Sequence, residues 1–68
     1  RINEAIEIFK LNVKEYPDAY NTYDSLGEAY MLNGEKDLAI KNYAQSLVLN
    51  SKNVNAIKKL CKIIQDKE

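Results

Sequence analysis

The sequence predicts an all-α chain of about four helices, paired as antiparallel helix-turn-helix units. Three observations lead there. Apolar residues recur at spacings of three and four along nearly the whole chain, as they do on helices with one buried face. Strand-type alternation is nearly absent. The chain also resembles itself when shifted by 34 residues, a period typical of stacked helix pairs.

The first helix is expected over residues 1–16, where Ile2, Ala5, Ile6, Phe9, Val13 and Tyr16 share one face. Pro17 ends it, because the residue before a proline is pushed out of the helical region. Asp18 then offers an N-cap for a second helix. Its inner side carries Tyr20, Tyr23, Leu26, Gly27 and Tyr30, with Met31 and Leu32 alongside. Asn33-Gly34 closes it, the glycine supplying a left-handed C-cap. A third helix runs from about Glu35 to Leu49, with Leu38, Ala39, Tyr43 and Leu47 inward and Ile40 beside them. The full helix pair thus occupies residues 20–49. After the turn Asn50-Ser51-Lys52-Asn53, a fourth helix occupies residues 54–66, with Asn53 as its cap and Val54, Ile57, Leu60, Cys61 and Ile64 inward. Residues 65–68 are expected to fray. Short connections make consecutive helices antiparallel neighbours.

The 34-residue shift places Ala5 on Ala39, Ile6 on Ile40, Phe9 on Tyr43 and Val13 on Leu47. It continues with Tyr20 on Val54, Tyr23 on Ile57, Leu26 on Leu60, Gly27 on Cys61 and Tyr30 on Ile64. Small residues at Gly27 and Ala39 suit close helix approach, where a large side chain would overpack. Tyr23, Tyr30 and Tyr43 fill wider gaps, their hydroxyls reaching water or backbone. By its alignment with Gly27, Cys61 is expected to be a small buried hydrophobe, ahead of a reactive thiol or an intermolecular bridge.

Tyr23-x2-Leu26-Gly27-x2-Tyr30 followed by Ala39-x3-Tyr43 resembles the tetratricopeptide repeat, and Ala5-x3-Phe9 with Pro17 resembles the second helix of a preceding repeat. The pattern departs at Lys36, where an aromatic is usual, at Ser51, where proline is usual, and at Cys61, where glycine or alanine is usual. The resemblance implies a right-handed superhelix and a concave groove that binds protein or peptide. Carried over residue by residue, the groove would comprise Asn21, Asp24, Ser25, Glu28, Met31 and Leu32, then Asn55, Lys58, Lys59 and Lys62. Asp24 and Glu28 stand where a carboxylate clamp of the family would need basic and amide groups, which argues against that mode of recognition. Phe9 to Val13, Tyr16-Pro17 and Tyr23 to Tyr30 are also similar to the repeat-like tail of some bacterial serine hydrolases. That narrower resemblance implies an accessory segment that positions or stabilises a catalytic domain lying elsewhere.

Sixty-eight residues make one small domain, which buries only about 60% of its unfolded surface. The start at Arg1, already inside helical pattern, reads as a piece of a longer protein. The first helix also carries Ile8 and Leu11 off its main stripe, so an apolar flank is expected to be covered by upstream chain or by a second copy. One cysteine and no histidine exclude an internal disulfide and a histidine-containing zinc finger. Ten basic and ten acidic residues leave no surplus for nucleic acid, and no apolar run is long enough to span a membrane.

The charge is uneven: residues 1–37 carry −4 and residues 38–68 carry +4. This polarity either guides stacking or docking, or is an ordinary solvated surface. Lys58, Lys59 and Lys62 are read alike as a solvated face, with an anion-binding edge as the sharper alternative. Ser25 and Ser46 have no histidine to activate them, and Asp24 with Glu28 is an open surface pair rather than an acid-base couple. Neither a phosphate loop nor a calcium loop is present, so no enzyme activity, cofactor or metal is expected.

Overall fold

The computed structural model describes residues 1–66, with side chains as far as Gln65. Four helices follow one another: α1 (Ile2–Glu15), α2 (Tyr20–Leu32), α3 (Lys36–Leu49) and α4 (Val54–Asp66). Each packs mainly on its neighbour in sequence, α1 on α2, α2 on α3 and α3 on α4. Together they form a slab of 33 × 28 × 14 Å. Its radius of gyration, 11.2 Å, is close to the value of about 11 Å expected for a compact chain of this length. Such a shape does not display the extended superhelix that the repeat resemblance implies.

Helix boundaries have local causes. Tyr16, before Pro17, leaves the helical region at φ −128° and ψ 65°, and α1 stops at Glu15. At the end of α2, Gly34 has φ +78°. The Gly34 and Glu35 amides donate to the carbonyls of Met31 (3.0 Å) and Tyr30 (2.9 Å), the paired bonds of a Schellman cap. Only a residue that tolerates positive φ closes the turn this way. Before α4, the Asn50 side chain accepts from the Lys52 amide, and Asn53 Oδ1 caps the Ala56 amide at 3.3 Å. The cap expected at Asp18 is not formed. Ala19 occupies the N-cap position, and Thr22 Oγ1 donates to the Ala19 carbonyl at 2.7 Å. The two-residue turn after Tyr16 brings the chain in one residue later than the sequence suggests.

The core consists of Ile6, Leu26, Ala29, Tyr30, Ala39, Tyr43, Ala56 and Ile63. Its tightest point is the α2–α3 crossing. A Cβ added to Gly27 would lie 3.1 Å from two atoms of the Tyr43 ring and 3.2 Å from a third. The glycine therefore lets a fully buried aromatic lie flat against the backbone of α2.

Several inward assignments are corrected. Tyr16, Tyr20, Leu32 and Leu38 are exposed, whereas Ala29 and Ser46 are buried. On α4 the stripe turns. Ala56 and Ile63, seven residues apart, face the core, and Val54, Ile57, Cys61 and Ile64 face outward. Cys61 is thus an exposed thiol, not a buried small hydrophobe. Its row matches the α2 face that packs on α3, but among the described residues no helix lies on the outer side of α4. Tyr23 does find a backbone partner, donating to the Pro17 carbonyl at 3.0 Å. The Tyr43 hydroxyl is buried with no backbone or side-chain partner among the described residues. Gln65 and Asp66 are helical, not frayed; residues 67 and 68 lie outside the described part.

Candidate functional site

The residues expected to line a groove divide into three sets. Glu28, Met31, Leu32, Lys59 and Lys62 come together, with Tyr43 and Ile63, around a hollow of about 200 Å³ between α2 and α4. Met31, Leu32 and Ile63 supply apolar wall, Glu28 an exposed carboxylate, and Lys59 and Lys62 exposed ammonium groups. Helical spacing explains the grouping. Glu28, Met31 and Leu32 lie three and four apart on α2, as Lys59, Lys62 and Ile63 do on α4.

Asp24 and Asn55 form the second set, and they are bound to each other. Asn55 Nδ2 donates to both Asp24 oxygens, at 2.9 and 3.2 Å. Asn53 Nδ2 donates to Asp24 Oδ2 at 3.1 Å and to Ser46 Oγ at 2.7 Å. Ser46 is fully buried and Asn53 nearly so. One carboxylate on α2 is thereby tied to α3 and to the start of α4, which fixes how α4 lies across α2. Asp24 is accordingly an architectural residue, with its acceptor capacity largely taken up inside the chain.

In the third set, Ser25 faces away from the hollow and lines a separate groove with Ile2, Ala5, Phe9, Ala29, Glu28 and Leu32, between α1 and α2. Asn21 and Lys58 are exposed and line neither hollow.

Tyr43 is the residue that sequence reasoning placed only in the core. Its side chain is fully buried, it walls the α2–α4 hollow, and its hydroxyl has no hydrogen-bond partner among the described residues. Burial pushes its pKa up to about 12, helped by the carboxylates of Asp24 and Glu28. The group is therefore a neutral phenol at physiological pH, able to donate or accept one hydrogen bond. Ile63 was missed because Ile64 beside it fits the apolar row of the 34-residue shift. The signal that could have found it is the seven-residue interval from the small residue Ala56.

The arrangement supplies recognition chemistry: an apolar wall and opposite charges on two rims. At about 200 Å³ it falls below the roughly 300–1,000 Å³ of small-molecule sites and is suited to a single side chain. Among the described residues no group of histidine, cysteine and carboxylate side chains could hold a metal ion, and no helix is long and apolar enough to cross a membrane. Comparison with protein-family models, with curated proteins and with solved structures finds no match to this chain.

Proposed function

We propose that the chain is a non-catalytic protein-interaction module of tetratricopeptide type, contributing helices to a superhelical array. Its recognition surface is the α2–α4 side, where a peptide segment places one apolar side chain against Met31, Leu32 and Ile63. An acidic residue beside the seated one is favoured by Lys59 and Lys62, and Glu28 disfavours a second on the opposite rim. One observation carries this reading: a side-chain-sized hollow with an apolar wall of Met31, Leu32 and Ile63 lies between the Glu28 carboxylate and the ammonium groups of Lys59 and Lys62.

The footprint is small, so binding by this segment alone is weak, with Kd in a range of about 10 μM to 1 mM. The test is selection from a random-peptide display library, followed by fluorescence titration of the enriched peptides. Met31→Glu should weaken binding at least about tenfold, equal to 1.4 kcal/mol. Lys59→Glu combined with Lys62→Glu should select against the acidic position. Absence of any enriched peptide, or enriched peptides indifferent to Met31→Glu, counts against the reading.

A further inference from the structure

We propose that the chain stacks head to tail with further copies of itself, α4 of one copy seating in the groove between α1 and α2 of the next. The occupant is identified by a joint that the molecule already makes once. Inside one chain, α2 packs on α3 with Gly27 lying against the Tyr43 ring. Shifted by 34 residues, the α2 row Tyr23, Leu26, Gly27 and Tyr30 becomes Ile57, Leu60, Cys61 and Ile64 on α4. Shifted the other way, Ala39 and Tyr43 of α3 become Ala5 and Phe9 of α1. Each chain thus carries both halves of the same joint a second time, at opposite ends.

Both halves are open. Ile57 and Ile64 are 42% and 52% exposed, and Cys61 between them is exposed too. Ala5 and Phe9 are half-buried and wall the α1–α2 groove together with Ala29 and Leu32. In the stack, Cys61 approaches Phe9 of the next copy as Gly27 approaches Tyr43. The extra sulfur-bearing side chain requires slightly wider spacing than the internal joint.

The uneven charge of the chain also favours end-to-end approach. From residue 38 to residue 65 there is no acid, and α4 with its preceding turn carries Lys52, Lys58, Lys59 and Lys62. Eight of the ten acids lie in residues 1–37, with Glu28 on the wall of the receiving groove. Lys59 and Lys62 line the α2–α4 hollow rather than the open row, so the charge acts at long range, drawing the basic end of one copy toward the acidic end of the next. The contact is heterologous and does not close on itself, so it permits growth beyond two copies. A contact about 20 Å long and one helix wide buries less than the roughly 1,200 Å² of stable complexes, which makes the association weak. The inference rests on the repeat-module reading, but not on the α2–α4 hollow. Peptide binding measured on dilute monomer can stand or fall separately.

The test is sedimentation velocity on the 68-residue chain from about 10 μM to about 1 mM. The average mass should rise from 7.8 kDa with concentration and fall back at high salt. Ile57→Glu blocks the α4 half and Ala5→Arg blocks the groove half, so each variant alone should remain monomeric. Mixed in equal amounts, they should form a two-chain species and grow no further, because one intact α4 meets one intact groove. Helicity by circular dichroism checks each variant. If Ala5→Arg unfolds the chain, Leu32→Arg at an exposed wall position takes its place. A wild-type chain monomeric over the whole range overturns the proposal. So does either variant dimerising alone, or a mixture that stays monomeric.

Discussion

Replacing Tyr43 by phenylalanine should stabilise the chain, although the residue is fully buried at the centre of the core. The ring lies against Gly27 and is retained by the substitution, so packing is unchanged. What is lost is a hydroxyl with no partner among the described residues. Removing an unpaired buried hydroxyl gains about 1–3 kcal/mol, less a small loss of contact area. A chain of this size has total stability of roughly 3–10 kcal/mol, so the gain is readily measured. Thermal denaturation should show a midpoint rise of about 4–8 °C for each kcal/mol.

The pH dependence has a definite sign. The folded chain holds the Tyr43 pKa at about 12, above the ordinary value of 10.0. Its neutral form is thus favoured by folding, and that contribution is complete below pH 10. As pH rises from about 10 to about 12, the unfolded chain loses this proton first, and stability falls by up to about 1.4 kcal/mol per pH unit from this group. In Tyr43→Phe that part of the alkaline slope should be absent. Destabilisation of Tyr43→Phe by 1 kcal/mol or more, with an unchanged alkaline slope, would refute the reasoning by showing that the hydroxyl has a partner in the fold.

Three other outcomes test the packing. Gly27→Leu should abolish cooperative unfolding, because even one added carbon falls 3.1 Å from the buried Tyr43 ring, while Lys36→Ala on the exposed start of α3 should stay within about 0.5 kcal/mol in urea titrations. Asn53→Ala removes the α4 cap and the bonds to Asp24 and Ser46, and should cost about 2–4 kcal/mol. Asn53→Asp should not restore that stability at neutral pH, since it keeps a capping oxygen but faces the Asp24 carboxylate. Cys61 should react with a thiol reagent in the native state at a rate close to that of the unfolded chain, and protection that disappears only on unfolding would contradict its exposed placement.

Features governed by a single residue's backbone chemistry were legible in the sequence. Pro17 and Gly34 announce the ends of α1 and α2, and Asn53 announces the start of α4. The Gly27–Tyr43 joint was half-legible: small and large residues at repeat spacing predict a close crossing, but not that the tyrosine oxygen ends without a partner. The phase of α4 was misread for a physical reason. Leu60 does pack against the core, but Ile57, Cys61 and Ile64 around it have the period of a buried face, and sequence periodicity cannot distinguish a face packed within the chain from one left open. The Asp24–Asn53–Ser46 connection was illegible, because it joins residues 29 and 7 positions apart whose meeting depends on how three helices cross. It engages Asp24 in bonds within the chain, while Met31, Tyr43 and Ile63 are among the residues that line the hollow.

The central claim is that the 34-residue correspondence is a structural repeat, so that α4 and α1 are the two halves of a joint. Thermal and urea unfolding of two chains fused in tandem tests it most directly. In the first chain Lys67→Asn and Glu68→Gly would supply the same turn that Asn33-Gly34 forms between α2 and α3. If the correspondence is structural, the fusion should unfold as one cooperative unit. Its urea dependence should be about twice that of the single chain and its midpoint well above, as coupled repeats behave. Two copies that melt independently, at the midpoint and with the urea dependence of one, would contradict the account.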